Sequence, residues 1–134
     1  MTKLLTIDPT GAAPIWRQIE DGVRRMVVSG VLAAGEPVPS VRDLARELRV
    51  NPATVSKAYQ RLTAAGVLEV RRGEGTFVAL RDAGTVDAER RGLLDDEARR
   101  FAEAARDLGS DLDGALEAVR RAWSDDDDTA GGGA

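Results

Sequence analysis

The sequence contains no cysteine and no histidine. The first absence removes any disulfide framework, thiol nucleophile or thiolate metal site. The second removes the commonest general base and the commonest metal ligand. Lysine occurs only at Lys3 and Lys57, so catalysis would fall to carboxylates and hydroxyls, and no carboxylate pair sits on a recognisable catalytic frame. No apolar run approaches the ~18 residues needed to cross a bilayer. The opening Met1-Thr2-Lys3-Leu4-Leu5, soon interrupted by Asp8 and Pro9, is too short for a signal peptide. The expectation is a cytoplasmic, cofactor-free protein that is not an enzyme. Its 134 residues suit one ordinary domain, or a compact head with an appendage.

The charge is unevenly placed. Residues 1–80 carry eleven Lys and Arg against eight Asp and Glu, whereas residues 81–134 carry eight against fifteen. The overall charge of −4 therefore hides a front half of +3 and a back half of −7. If either half meets phosphate, it is the front.

Hydrophobic spacing divides the chain into short elements. After Pro14, apolar residues at Ile15, Ile19, Val23, Met26 and Val27 step at helical intervals. Ser29-Gly30 ends that helix, and residues 35–39 form a rigid connection. Ser40 caps a second helix by accepting from the N–H of Asp43, with Leu44, Ala45 and Leu48 inward. The pattern breaks at Arg49-Val50-Asn51. Asn51 then caps a third helix with Pro52 in its first turn, Val55, Ala58, Leu62 and Ala65 forming its inner stripe before Gly66 stops it. Two short helices joined by about three residues read as a helix-turn-helix. The period next changes to that of strands, 67–71 and 76–80, around Arg72-Gly73-Glu74-Gly75. A hairpin directly after a helix-turn-helix is a wing.

Residues 82–86 read as a linker. A fourth helix carries Leu94, Ala98, Phe101, Ala105 and Leu108; Gly109 stops it, Ser110 caps a fifth, and Leu112, Leu116, Val119 and Trp123 extend the stripe. Alternating steps of four and three are the spacing of a helix–helix seam. Residues 124–134, with four aspartates and a Gly-rich end, read as a disordered tail. The expected fold is thus mainly α with a small β-hairpin wing: a winged helix-turn-helix head over 1–80, a two-helix dimerisation segment over 81–123, and the tail.

Gly30 to Gly35, then Val38-Pro39-Ser40-Val41-Arg42-Asp43-Leu44-Ala45, resembles the entry to the GntR family of winged-helix regulators. Asn51-Pro52-Ala53-Thr54-Val55-Ser56-Lys57-Ala58-Tyr59 and Gly73-Glu74-Gly75-Thr76-Phe77-Val78 continue the likeness, in unbroken order over residues 14–80. The short two-helix tail resembles the YtrA subfamily by length and pattern; its members are dimeric repressors that often control transporter operons. Three positions depart from the family pattern. Val38 replaces the usual Leu. Arg49 stands where Gly is common, which implies mild backbone strain. Glu74 occupies a wing tip that usually carries Lys or Arg, and its carboxylate would be repelled by phosphate.

The chemistry is set by the faces. With Val55, Ala58 and Leu62 inward, Ala53, Thr54, Ser56, Lys57 and Gln60 point outward, offering hydrogen bonds and a methyl group to base edges in a major groove. The resemblance adds Arg42 as a base-reading guanidinium. Ser40, Asn51, Thr54, Tyr59 and Arg71 are placed for phosphates, which fix register. Arg72 and Gly73 in the wing approach the minor groove or its flanking backbone. One head offers little surface for specificity, so the seam from Leu94 to Trp123 is expected to join a homodimer on a palindromic operator in double-stranded DNA. Two other readings stand beside this one. In the first, a small molecule, or a metal at Asp95, Asp96 and Glu97 or at residues 125–128, tunes DNA binding. In the second, the winged helix binds protein and not DNA.

Overall fold

A computed structural model describes residues 5–131, with backbone only for residues 130 and 131. Helix α1 (Ile15–Val28) begins after Pro14, whose φ of −56° starts a helix without a side-chain cap. Ile19, Val23 and Val27 form its buried stripe. Helix α2 (Val41–Leu48) starts where the Ser40 hydroxyl accepts from Asp43 N at 3.1 Å. Helix α3 (Pro52–Ala64) starts where the Asn51 side chain accepts from Ala53 N at 2.9 Å, with Pro52 in the first turn. Both caps satisfy donors that a helix start leaves free.

The turn between α2 and α3 closes with Arg49 in the left-handed region, φ 58° and ψ 48°. Val50 N reaches Ala45 O at 3.0 Å and Arg49 N reaches Arg46 O at 3.3 Å, a Schellman closure that usually falls to glycine. The expected strain at Arg49 is therefore present.

Strands β1 (Leu68–Arg71) and β2 (Gly75–Val78) pair antiparallel in the register Leu68 with Val78 and Arg71 with Gly75. Gly73, at φ 80°, makes the bend that a side chain would resist. The connection at residues 35–39 is more than a spacer. Pro37 bridges to Phe77, Val78 N donates to Glu36 O at 2.8 Å, and Val38 N donates to Thr76 O at 2.9 Å, so it seals the open edge of β2.

One core serves these elements. Ile19, Leu44, Val55, Ala58, Leu62 and Val67 are fully buried, with Val23, Leu68 and Val78 close behind. The sequence carries no periodic signal for Leu5, yet it is buried among them, and a Cβ on Gly22 would lie 2.5 Å from its side chain. The glycine inside α1 is the space that Leu5 fills.

Four expectations about the back half are corrected. Residues 83–86 are no linker: helix α4 (Ala83–Asp107) already includes them. Asp82 accepts from Thr85 N at 2.8 Å and from the Thr85 hydroxyl at 3.0 Å, which caps the helix and holds the carboxyl below its usual range. The first turns of α4 also belong to the head, since the compact unit runs to Arg91. Arg90 donates to Val28 O from Nε at 3.1 Å and Nη2 at 2.6 Å, anchoring them there. The second unit, from Gly92, holds the rest of α4 and helix α5 (Leu112–Gly131). Gly109 stops α4 at φ 81°, but the cap of α5 is Asp111, which accepts from Gly114 N at 2.9 Å; the carboxylate takes the place expected for Ser110.

The last correction concerns the tail. Residues 124–131 continue α5 and are not disordered; residues 132–134 lie outside the described residues. A helix once started adds one hydrogen bond per residue, and no proline or glycine interrupts the aspartates before Gly131. Their composition says only that they bury nothing.

Arg49→Gly should stabilise the head by about 1 kcal/mol, because the left-handed conformation no longer strains a Cβ. Chemical denaturation of the two chains side by side checks this, and an unchanged or lower midpoint would count against strain at Arg49.

Candidate nucleic-acid interface

Helix α3 is the centre of the candidate surface because one of its sides is wholly committed. Val55, Ala58 and Leu62 face the core at 0% exposure, which turns Ala53, Lys57 and Gln60 outward and leaves Thr54 and Ser56 at the edge, half-buried. Gln60 Nε2 donates to Ser56 Oγ at 3.3 Å, so these two share one polar patch. Ser40 and Asn51 are exposed while serving as caps, which leaves both helix starts open to an anion.

Arg42 stands in the first turn of α2 with its side chain exposed. Its guanidinium makes no hydrogen bond or ion pair with another of the described residues. Lys57 likewise makes no ion pair within 4.0 Å with any of them. Its ammonium lies 4.4 Å from the ring centroid of Trp16 on α1. In the wing, Arg72 and Gly73 are exposed at the tip, beside an exposed Glu74. Arg71 is more constrained. Its guanidinium stacks over Phe77 at 4.1 Å and sits 3.7 Å from Glu69. Alternation along β1 puts Glu69 and Arg71 on one face.

Tyr59 differs from the other expected contacts. It is 5% exposed, and its hydroxyl donates to Pro39 O at 2.7 Å. Burial, with the negative charge of Glu47 second, pushes the phenol well above its ordinary range. A single phenolic hydrogen cannot serve Pro39 and a phosphate together. Tyr59 therefore ties the start of α2 to the middle of α3.

Four residues that the outward-face argument passes over support this surface. Trp16 and Glu20 stand four apart on α1, opposite Lys57 and Arg61, four apart on α3. Arg61 Nε donates to Glu20 at 2.7 Å and stacks at 4.8 Å over the same Trp16. Glu20, only 7% exposed, also pairs with Arg24 at 3.2 Å. Helical spacing of four was the available signal; which helix lies opposite was not in it.

In the second unit the seam residues lie on its surface. Leu94, Ala98, Phe101, Leu108, Leu112, Leu116, Val119 and Trp123 are exposed, and Ala105 is buried. Phe101, Ala118, Val119, Ala122 and Trp123 line an open cleft of about 470 Å³. Among the described residues, no three His, Cys, Asp or Glu side chains are grouped to hold a metal ion, and no helix is long and apolar enough to cross a membrane.

Residues 16–78 match the model of the bacterial regulatory proteins of the gntR family. The chain is 30% identical to the HTH-type transcriptional repressor YtrA of Bacillus subtilis (strain 168), over 91% of this chain and 94% of that protein. Among solved structures it is similar to a GntR family transcriptional regulator from Listeria monocytogenes, with a TM-score of 0.74, 26% identity, and 86% of this chain and 98% of that chain covered. It is also similar to the DNA-binding domain of AraR in complex with operator ORX1, with a TM-score of 0.50, 26% identity, and 56% and 93% covered.

Tyr59→Phe should lower stability by about 1 kcal/mol, since Pro39 O loses its donor. The salt dependence of DNA binding should stay as in the parent chain. A salt slope shallower by about one unit would instead identify the hydroxyl as a phosphate contact.

Proposed function

Because this chain belongs to the GntR family of bacterial regulatory proteins, we propose that it is a dimeric transcriptional repressor that reads a palindromic operator. The observation that carries this reading is the pair of capped helices α2 and α3, which present Arg42 and Lys57 without an ion-pair partner among the described residues. Helix α3 enters the major groove, and Thr54, Ser56, Lys57 and Gln60 meet base edges or nearby phosphates. Arg42 reads guanine through its two parallel donors. Ser40 and Asn51 receive phosphates at the helix starts, where free N–H groups and the helix dipole favour an anion.

The wing approaches the adjoining backbone through Arg71, Arg72 and Gly73. Glu74 at its tip keeps the minor-groove contact weak, because a carboxylate is repelled there. Two heads act together when Leu94, Ala98, Phe101, Leu108, Leu112, Leu116, Val119 and Trp123 pair across a two-fold axis, with Ala105 beneath them. The half-sites are then spaced by about one helical turn. Occupancy of the operator blocks transcription without a cofactor.

The test is fluorescence anisotropy with a duplex selected from random DNA by the parent chain, at two salt concentrations, beside a scrambled duplex. Arg42→Ala should weaken operator binding about 10- to 100-fold, leave the weak scrambled binding nearly unchanged, and relax preference at one base pair of each half-site. Equal affinity of the parent chain for selected and scrambled DNA would defeat the proposal.

A further inference from the structure

The two cations stacked on Trp16 are in different electrostatic states. Arg61 lies 4.8 Å from the ring centroid and donates to the buried carboxylate of Glu20, so it has an ion-pair partner, one it shares with Arg24. Lys57 lies 4.4 Å from the same centroid and makes no ion pair within 4.0 Å with any of the described residues. An indole face attracts an ammonium through its quadrupole but carries no net charge, so it holds the cation without neutralising it. A carboxylate in that position would hold Lys57 just as well and cancel the charge that DNA needs. A lysine with no partner would keep its charge but have to be ordered at the moment of binding.

We propose that Trp16, which belongs to α1 and lies outside the helix-turn-helix, is a positioning residue for DNA recognition. It pre-orders the Lys57 ammonium on the outer face of α3 and leaves its charge available to DNA. Glu20 makes the opposite choice for Arg61 one turn along, so of these two neighbouring cations Lys57 is the one presented. The inference rests on the reading of Lys57 as a DNA contact.

The experiment measures operator and scrambled affinities of the full chain by anisotropy for Trp16→Leu, Trp16→Phe, Lys57→Ala and the double variant Trp16→Leu/Lys57→Ala, with thermal midpoints alongside. Trp16→Leu keeps apolar bulk against α3 but removes the ring face. It should weaken operator binding about 3- to 10-fold, Trp16→Phe less, and the double variant should bind no more weakly than Lys57→Ala alone. If the Trp16→Leu and Lys57→Ala losses multiply, or Trp16→Leu binds as the parent does, the positioning role is overturned while the Lys57 contact stands. If Lys57→Ala binds as the parent does, the Lys57 contact itself fails and the inference with it. Should Trp16→Leu not fold, proton NMR of the unbound parent chain decides. The Lys57 side-chain methylenes should be shifted upfield by the ring current, and random-coil positions would overturn the proposal.

Discussion

The constraint on which this head depends is that α3 buries one side completely. Val55, Ala58 and Leu62 have no exposed surface, and truncating a buried leucine such as Leu62 to alanine typically costs about 2–5 kcal/mol. That commitment fixes the rotation of the helix about its own axis. Once the rotation is fixed, so is the set of polar side chains on the other side. The buried hydroxyl of Tyr59 adds a second restraint by tying α3 to the residue before the α2 cap. The reading surface is thus set by what lies behind it.

Electrostatics reinforces the same frame. From Arg61 on α3 the pairs pass to Glu20 and Arg24 on α1, then to Glu89 on α4 at 3.7 Å, and on to Arg81. The far end is less complete than the near one. Arg81 Nε, Arg81 Nη2 and Glu89 Oε1 are buried without a hydrogen-bond partner among the described residues. Glu20, by contrast, has both oxygens engaged. The tight end of the network is the one beside α3, where position matters to the proposed DNA contact.

Much of this was legible in the sequence because it is local chemistry. Ser40 and Asn51 announce caps by their own short polar side chains and by the helical pattern directly after them. The glycine at position 73 announces a bend, and Arg49 announces its strain by standing where glycine is cheaper. The contacts that were not legible are the ones between elements. Nothing in the spacing of Trp16 and Glu20 says that α3 lies opposite, nor that Leu5 fills the space above Gly22. The burial of Tyr59 was not legible for a related reason: an aromatic with a polar tip suits a wet surface or a buried donor equally well, and the nearness of Pro39 is a tertiary fact. In the back half, composition misled. A charged segment with no core to join is a candidate for disorder, but hydrogen bonds along the chain are indifferent to side-chain burial.

The helical state of residues 125–128 has a geometric consequence. At 3.6 residues per turn, four consecutive aspartates go once around the axis, so their carboxylates form a collar of like charge. An unwound tail could fold its acids away from an approaching chain; a collar presents them on every side. In the proposed dimer, a second α5 laid against the apolar side chains of the first would meet this boundary just past Trp123, where Asp126 and Asp127 already border the cleft beside the tryptophan. The collar would then limit how far two such helices can slide along each other.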